Sequence, residues 1–292
     1  MANRLGFEVE CHEVEWGQGI PLDALETRLK EDNGHQIKAV LATHNETSTG
    51  VTSDIGGVRL AMNAANHPAL LFVDGVSSIA SLDFRMDDWA VDGAISGSQK
   101  GFMLPAGGAF LAFSQKAMAA CDTNTYPRCF LDLKDHINTN KDGYTPYTPS
   151  TPILHGLRKS IDLLLEEGLE NVFARHHRLA EGTRKAIAAW GLSLCAQPGF
   201  ESNTVSAVVV PENKDARDVI ATAYHKYNIS LGGGLTEVAG KVFRIGHMGN
   251  MNDVSMLGAI AGVEMALLDN GFDITPGSGV AAAIEYYRTT AS

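Results

Sequence analysis

Residues 70–78 read Leu-Leu-Phe-Val-Asp-Gly-Val-Ser-Ser, and residues 93–101 read Gly-Ala-Ile-Ser-Gly-Ser-Gln-Lys-Gly. In both stretches, a short run of apolar and small residues stops at polar side chains. Such runs, without alternation of polar and apolar residues, are typical of strands buried on both faces of a parallel sheet. The two stretches therefore predict neighbouring strands at 70–73 and 93–96.

The sequence around these strands alternates between strand and helix patterns. A third apolar run, Ile37–Ala42, stops at the polar residues 44–50. Helical patterns lie on either side of this run, at Pro21–Glu31 and near Val58–Ala65. Ala109–Phe113 is a candidate neighbouring strand of opposite direction. Together they predict an α/β fold with a mostly parallel sheet that helices cover on both faces.

Three of the predicted strands end next to residues that are capable of chemistry. In open α/β sheets, ligands bind outside the carboxyl ends of the strands. We therefore expect Thr47, Asp74 and Lys100 to lie at one rim of the sheet.

The second half of the sequence has a different pattern. Residues 141–152 are rich in turn formers and predict an ordered crossing loop. The remaining segments predict the helices Ile153–Glu167, Glu170–Trp190, Ala216–Tyr227, Val254–Leu268 and Val280–Tyr287 and the strands Val205–Val210 and Val242–Ile245. We expect a large domain at 1–168 and a smaller C-terminal α+β domain at 169–292.

Composition narrows the classes of function. Acidic residues outnumber basic ones by 34 to 23, and the net charge of −11 disfavours binding to nucleic acid or to an anionic membrane surface. Four cysteines, Cys11, Cys121, Cys129 and Cys195, are scattered, which favours reduced thiols over disulfides or a metal site. Neither a signal peptide nor a membrane-spanning run is evident, and we expect a cytoplasmic location.

Lys100 and Asp74 are the clearest candidates for residues that take part in chemistry. Taken alone, Lys100 is typical of a solvated surface lysine, and Asp74 of a turn former or helix cap. The small and apolar residues around Lys100 would instead desolvate its amine and make it a nucleophile towards an aldehyde. Chemistry with pyridoxal 5′-phosphate (PLP) requires such a lysine and an acid that pairs with the pyridine nitrogen, and Asp74 could supply this acid.

Four motifs resemble those of class V aminotransferases. Residues 43–51, 72–78 and 96–101 look like the three consecutive site motifs of this family, and residues 243–249, Phe-Arg-Ile-Gly-His-Met-Gly, look like its substrate-carboxylate motif. The sequence of the lysine motif is most similar to that of the serine–glyoxylate branch. The resemblance covers essentially the whole chain and implies the aspartate aminotransferase-like fold of PLP-dependent transferases (fold type I).

The resemblance also implies roles for individual residues in cofactor binding. Lys100 would carry PLP as a Schiff base, and Asp74 would pair with its pyridinium nitrogen. The other residues implied to contact the cofactor are Thr47 near the phenolic oxygen, Ser98 and Gln99 at the phosphate, and Tyr147 and Thr151 at the phosphate of a neighbouring subunit. The family therefore also implies a homodimer.

Arg244 is the residue implied to bind the substrate. Its planar guanidinium matches a carboxylate in a bidentate manner, which a lysine cannot do. Without the family context, a surface ion pair would be the default interpretation. In the same region, His247 is expected to be structural or adjacent to the substrate rather than a metal ligand, and Gly232–Gly234 to border the site. His176 is expected to be solvated on a polar helix.

The favoured reaction is transfer of the amino group from L-serine to glyoxylate, giving hydroxypyruvate and glycine. L-Alanine or L-aspartate as the amino donor is the alternative on the same scaffold. A cysteine desulfurase is disfavoured because none of the four cysteines lies in a recognisable catalytic loop.

A different class of function is a fragment that folds without catalysis. Family members normally have a further N-terminal stretch with a phosphate-binding loop at a helix N-terminus and an aromatic residue that stacks on the cofactor. Nothing in residues 1–37 replaces it, and Trp16 is too far along the chain to be the stacking residue. We therefore expect a large domain that is truncated at its N-terminus.

Overall fold

Two four-stranded sheets, one in each half of the chain, organise the fold. The structure is a computed structural model, and it describes residues 2–290. Along these residues the strands are β1 (Ala39–Thr43), β2 (Asn45–Glu46), β3 (Val51–Thr52), β4 (Leu70–Asp74), β5 (Gly93–Gly97), β6 (Ala109–Phe113), β7 (Ser193–Leu194), β8 (Val205–Val209), β9 (Gly232–Gly233) and β10 (Val242–Gly246).

The helices lie before, between and after these strands. Within the described residues they are α1 (Leu22–Glu31), α2 (Ile55–Ala64), α3 (Gln115–Asp122), α4 (Leu133–Asn140), α5 (Thr151–Glu167), α6 (Leu169–Ala189), α7 (Ala216–Tyr227), α8 (Asp253–Asp269) and α9 (Ser278–Thr290). No helix within residues 2–290 has the length and hydropathy of a bilayer-spanning segment.

The first sheet has the order β1-β4-β5-β6. Strands β1, β4 and β5 run parallel, and β6 pairs with β5 in the opposite direction. The predicted strands at 70–73, 93–96 and 109–113 are confirmed, and each observed strand lies within two residues of its predicted bounds.

Helices cover only one face of this sheet within the described residues, so the prediction of two covered faces is wrong. Helices α1 and α2 pack together on the covered face, where Leu71 and Val73 of β4 join the hydrophobic core. The opposite face exposes Leu41 (69%), Ile95 (36%) and Leu111 (52%). The physical reason is that residues 75–92, which connect β4 to β5, form turns and contain no helix that could cover that face.

The second sheet has the order β7-β8-β10-β9 and is antiparallel throughout. Helices α6, α7, α8 and α9 pack around a second core that includes Leu179, Phe243 and Ile260. Gly168, with φ of +83°, ends α5 and precedes α6. This break supports a division near residue 168, and the division into domains at 1–168 and 169–292 stays a prediction.

The β2–β3 hairpin connects the two halves of the chain. Val51 of β3 forms a bridge with Glu201, and the Thr52 amide donates to the Phe200 carbonyl at 2.8 Å. In the hairpin loop, the Gly50 carbonyl accepts from the Ser202 amide at 2.8 Å. The loop that follows β1 is thereby held against the chain that leads into β8.

Candidate active site

Asp74 lies at the carboxyl end of β4, at the rim of the first sheet. The strand register pairs it with Thr43 of β1 on one side and with Ile95 of β5 on the other. Its Oδ1 accepts a hydrogen bond from the Val76 amide at 3.0 Å, and the side chain is exposed. The second carboxylate oxygen makes no hydrogen bond or ion pair among residues 2–290. It is therefore available to a ligand.

Lys100 lies in the turn that follows β5. The turn is closed by the Met103 amide, which donates to the Lys100 carbonyl at 2.9 Å, and by the Leu104 amide, which donates to the Ser98 carbonyl at 3.0 Å. The side chain of Lys100 is half-buried, and its amine takes part in no ion pair among the described residues. Backbone hydrogen bonds thus fix the turn that carries Lys100, and its amine is left without an ionic partner among the described residues.

Gly101 brings the Lys100 turn against the loop that follows Asp74. A Cβ atom at this position would lie 2.3 Å from the carbonyl oxygen of Ile79 and 2.8 Å from Oγ of Ser81. The backbones of the two loops can approach this closely only because residue 101 is a glycine. The loops that follow Asp74 and Lys100 are therefore in contact, as expected for residues that lie at one rim of the sheet.

Arg244 reaches the same rim from β10 of the second sheet. Its Nη1 donates to the backbone oxygen of Thr47 at 2.9 Å, whereas its Nε is buried and has no acceptor among the described residues. Gly232 on the neighbouring strand makes room for the guanidinium, because a Cβ there would lie 3.0 Å from Nε. A buried N–H without an acceptor is costly, which indicates that a bound anion completes its hydrogen bonding.

These groups match the chemistry of an amino acid bound to PLP. Lys100 offers an amine for the aldehyde, Asp74 offers a free carboxylate oxygen for the pyridine nitrogen, and Arg244 offers unpaired N–H groups for a carboxylate. The donor set present therefore fits this cofactor.

Comparison with known proteins decides the family. The sequence profile described as Aminotransferase class-V matches residues 1–255. The chain belongs to the class V aminotransferases. It is 55% identical over 294 residues to the serine–glyoxylate aminotransferase of Methylorubrum extorquens, a match that covers 99% of this chain and 73% of that protein.

Two further relatives of this class V aminotransferase extend the comparison. The L-aspartate–glyoxylate aminotransferase of Paracoccus denitrificans is 55% identical over 292 residues, with 99% of this chain and 74% of that protein covered. The crystal structure of the ureidoglycine–glyoxylate aminotransferase of Bacillus subtilis superposes with a TM-score of 0.89 at 28% identity, covering 98% of this chain and 74% of that chain.

The class V assignment confirms the predicted fold, reaction type and cofactor. The fold is that of PLP-dependent transferases of fold type I, the enzyme is an aminotransferase, and its substrates are amino acids and oxo acids. The individual site residues stay predictions.

Ser98 is placed differently from its predicted role at the cofactor phosphate. It is fully buried, its Oγ donates to the Pro105 carbonyl at 2.7 Å, and it accepts from the Gly108 amide at 3.0 Å. The hydroxyl therefore shapes the turn around Lys100. Gln99 is exposed, and its amide remains available to a phosphate.

Tyr147 and Thr151 do not contact Asp74, Lys100 or Arg244 within the described residues. The Tyr147 ring packs on Phe130 at a centroid distance of 4.8 Å, and its hydroxyl lies 3.6 Å from Sγ of Cys129, whose hydrogen bond raises the pKa of the phenol. Thr151 is exposed at the first turn of α5. Their assignment to the site of a neighbouring subunit stays a prediction.

The expectation that His176 is solvated is wrong, because its side chain is only 1% exposed. His176 shares one face of α6 with Val172 and Leu179, and this face packs into the core. Its Nδ1 donates to the Val172 carbonyl at 2.7 Å, and its Nε2 accepts from the Gly249 amide at 3.0 Å. Burial lowers the pKa of His176 to about 4, so the ring is neutral and supports the loop that follows β10.

His247 and His44 are also buried and neutral. His247 lies three residues after Arg244, where its ring contacts the Asn203 carbonyl and the Ser206 hydroxyl, both at 3.0 Å, and burial lowers its pKa to about 3. His44 packs against aromatic rings, and burial lowers its pKa to about 4. The structural role expected for His247 agrees with these contacts.

Proposed function

We propose that this class V aminotransferase transfers the amino group of L-serine to glyoxylate, giving hydroxypyruvate and glycine. The Arg244 guanidinium carries the proposal, because its Nε is buried without an acceptor among the described residues and it lies against the loop that follows β1. The relatives of Methylorubrum extorquens and Arabidopsis thaliana, at 55% and 52% identity, are named serine–glyoxylate aminotransferases, which supports this substrate pair.

Lys100 acts twice in the proposed reaction. Its Nζ would hold the cofactor covalently, and the amine would become free for acid–base work once the amino group of a substrate takes its place. PLP, when bound, withdraws electrons from the α-carbon of the substrate. The free Nζ would remove the proton from that carbon as a general base and return a proton as a general acid.

Asp74 holds a proton on the pyridine nitrogen. The Val76 amide donates to Oδ1 of Asp74 and so orients the carboxylate. Oδ2 is left to accept a hydrogen bond from the ring nitrogen. A carboxylate at this position stabilises the positive charge of a protonated ring nitrogen. Asp74 would thereby keep bound PLP in its electron-withdrawing form.

Arg244 holds the substrate carboxylate and so orients the α-carbon towards Lys100. A single clamp of this kind suits a donor with one carboxylate. The arginines that support the surrounding chain are already paired, Arg175 with Glu167 at 2.7 Å and Arg184 with Glu181 at 2.6 Å. Neither is free for the second carboxylate of L-aspartate, which favours L-serine.

L-Aspartate is nevertheless the second candidate donor. The relative from Paracoccus denitrificans, named L-aspartate–glyoxylate aminotransferase, is 55% identical, as is the serine–glyoxylate aminotransferase of Methylorubrum extorquens. Steady-state rates with L-serine, L-aspartate and L-alanine against glyoxylate distinguish the donors. A higher kcat/KM for L-aspartate or L-alanine than for L-serine would overturn the substrate assignment and leave the reaction type intact.

The proposal includes a homodimer in which Tyr147 and Thr151 contact the partner's cofactor phosphate. Tyr147 lies beside an exposed apolar surface formed by Phe130, Leu131 and Tyr144, which favours a protein partner at this segment. Mixing inactive Lys100→Ala subunits with inactive Tyr147→Ala subunits tests the arrangement. Shared sites predict recovery of activity in the hybrid, whereas sites built from one chain predict none.

We further place the enzyme in the cytoplasm. All four cysteines are free thiols, and Cys11 and Cys129 are exposed, which suits a reducing compartment. Detection of the protein in a cytoplasmic fraction of its source cells checks this placement, and its recovery from an oxidising compartment would contradict it.

An absorbance experiment tests the central proposal. The purified chain is mixed with PLP, and its visible spectrum is recorded before L-serine, after L-serine and after glyoxylate. We expect a protein-bound band that shifts with L-serine and returns with glyoxylate, with glycine as a product. The absence of a bound band, or a band that L-serine leaves unchanged, would contradict the proposed half-reactions.

A further inference from the structure

Asn45 joins three separate parts of the chain through one buried side chain. Its Nδ2 donates to Oγ of Ser77 at 2.8 Å and to Oγ1 of Thr204 at 3.1 Å. Its Oδ1 accepts from the Thr52 hydroxyl at 2.9 Å. Asn45 is 4% exposed, so both amide protons and the amide oxygen are used within the protein.

The Ser77 contact ties Asn45 to the loop of Asp74. Ser77 lies three residues after Asp74, and its hydroxyl returns a second hydrogen bond to the Asn45 carbonyl at 2.7 Å. The intervening Val76 amide is the group that donates to the Asp74 carboxylate. The orientation of Asp74 is therefore connected to Asn45 through a short stretch of hydrogen-bonded backbone.

The Thr204 contact ties Asn45 to the strand of Arg244. Thr204 precedes β8 directly, and its carbonyl accepts from the His247 amide at 3.0 Å. Strand β8 pairs with β10 so that Ala207 lies opposite Arg244. Asn45 thus contacts the segment that sets the position of β10, 159 positions away in sequence.

We propose that Asn45 is a positioning residue that fixes the Arg244 guanidinium relative to the Asp74 carboxylate. This inference rests on the proposed function, in which Arg244 holds the substrate carboxylate and Asp74 holds the ring nitrogen. The two groups come from different sheets, and the substrate that Arg244 holds must be aligned with the cofactor that Asp74 orients. A side chain with two amide protons can bind Ser77 and Thr204 together, and thereby sets the separation between the two sheets at the site.

The test compares two buried threonines in the PLP-loaded enzyme. Thr204→Val removes the hydroxyl that accepts from Asn45 and contacts Oγ of Ser202. Thr183→Val removes an equally buried hydroxyl that donates to the Leu179 carbonyl within α6 and hydrogen-bonds to Tyr287. Both changes preserve side-chain shape, so both test the loss of a buried hydrogen bond. Thr204→Ser, which keeps a hydroxyl, is the conservative variant.

Two measurements separate positioning from stability. The first is KM and kcat for L-serine and glyoxylate, and the second is the Kd of glycolate, an unreactive hydroxy acid with one carboxylate, by calorimetry. We expect Thr204→Val to raise both KM values and the Kd about tenfold, because the Arg244 guanidinium would no longer be held in position, with a smaller change in kcat. Thr183→Val is expected to lower the unfolding temperature to a similar extent without changing KM or Kd, and Thr204→Ser to restore binding.

The outcomes distinguish a failure of this inference from a failure of the proposed function. If Arg244→Lys leaves the glycolate Kd unchanged, Arg244 does not hold the carboxylate and the proposed function is wrong at that point. If Arg244→Lys weakens glycolate binding while Thr204→Val and Asn45→Ala behave like Thr183→Val, the proposed function stands and the positioning role of Asn45 is refuted.

Discussion

Arg244 donates from Nη1 to the backbone carbonyl of Thr47 at 2.9 Å, across 197 positions of sequence. This bond brings a cation from the second sheet to the loop that follows β1 of the first sheet. Because a backbone carbonyl is the acceptor, the positive charge is oriented without being neutralised. The buried Nε is left for an anion, and we propose that this anion is the substrate carboxylate.

Replacing Arg244 by lysine should weaken substrate binding. Lysine keeps the charge but has no planar fork, so it cannot bind the Thr47 carbonyl and a carboxylate with the same geometry. We expect KM for L-serine and glyoxylate to rise by roughly 10- to 100-fold, measured in steady-state assays. Arg217→Lys is the matched control, because Arg217 pairs with Asp215 on the surface, and it should leave both KM values unchanged.

Replacing Lys100 by alanine should remove covalent attachment of the cofactor. The protein-bound visible band should be lost, and transamination should fall by at least about 10²- to 10⁴-fold, the usual contribution of a positioned acid–base group. Lys185→Ala on the exposed face of α6 is the control and should keep both. An unchanged spectrum in the Lys100→Ala protein would refute the assignment of this lysine.

The strand ends of the first sheet could be predicted because the information is local. Each apolar run stops within one or two residues of the end of its strand, and continuous apolar runs without alternation are typical of parallel strands. Asp74 and Lys100 were therefore placed at one rim before any contact was known. The exposure of the second face of the first sheet, within the described residues, could not be predicted in this way. Residues 75–92 form turns whose path depends on tertiary contacts.

Contacts between distant segments were beyond sequence reasoning. The polar residues around His176 suggested a solvated helix, yet its ring is buried because one face of α6 packs into the core. Ser98 follows a strand end, and its role at the cofactor phosphate stays a prediction; only the fold shows that its hydroxyl bonds to the Pro105 carbonyl and the Gly108 amide. Asn45 lies in a recognised motif, and only the fold shows that it joins Ser77 to Thr204.

The buried histidines should make stability fall on mild acidification. Burial lowers the pKa of His176 from 6.5 to about 4 and that of His247 from 6.5 to about 3, so the unfolded chain binds protons that the folded protein does not. The free energy of unfolding is therefore highest above pH 6.5, decreases as the pH falls, and stops decreasing through these groups below about pH 4 to 3. Denaturant unfolding at a series of pH values measures the slope.

A variant at His176 separates this histidine from other titrating groups. Glutamine can accept the hydrogen bond from the Gly249 amide but does not gain a proton in this range. His176→Gln should therefore make the stability profile flatter between pH 6.5 and 4. His225→Gln on the exposed surface of α7 should leave the slope as it is. An identical slope in the His176→Gln protein would contradict the role of its burial.

Gly101→Ala should separate the two loops of the rim. The new Cβ would lie 2.3 Å from the Ile79 carbonyl, which is backbone and cannot rotate away. We expect a loss of about 1–3 kcal/mol in the free energy of unfolding and a weaker affinity for PLP, measured by denaturant unfolding and by cofactor titration. Gly258→Ala in α8 meets no atom within 4 Å and should instead stabilise the protein by about 0.5–1 kcal/mol.

Asp74→Asn should retain the fold and the cofactor while reducing turnover. Asparagine has the same shape, and its amide oxygen can still accept from the Val76 amide, so the loop that leads to Ser77 should keep its structure. What the variant lacks is the negative charge that holds a proton on the pyridine nitrogen. We expect kcat to fall on the order of 10²- to 10³-fold, as for the loss of one preorganised electrostatic contact, with an unchanged unfolding temperature and a protein-bound visible band.

Asp88→Asn, on an exposed residue of the connection between β4 and β5, is the control for the removal of one charge. Full turnover in the Asp74→Asn protein would show that another group protonates the ring, whereas loss of the bound band together with the fold would show that Asp74 acts through the loop and not through its charge.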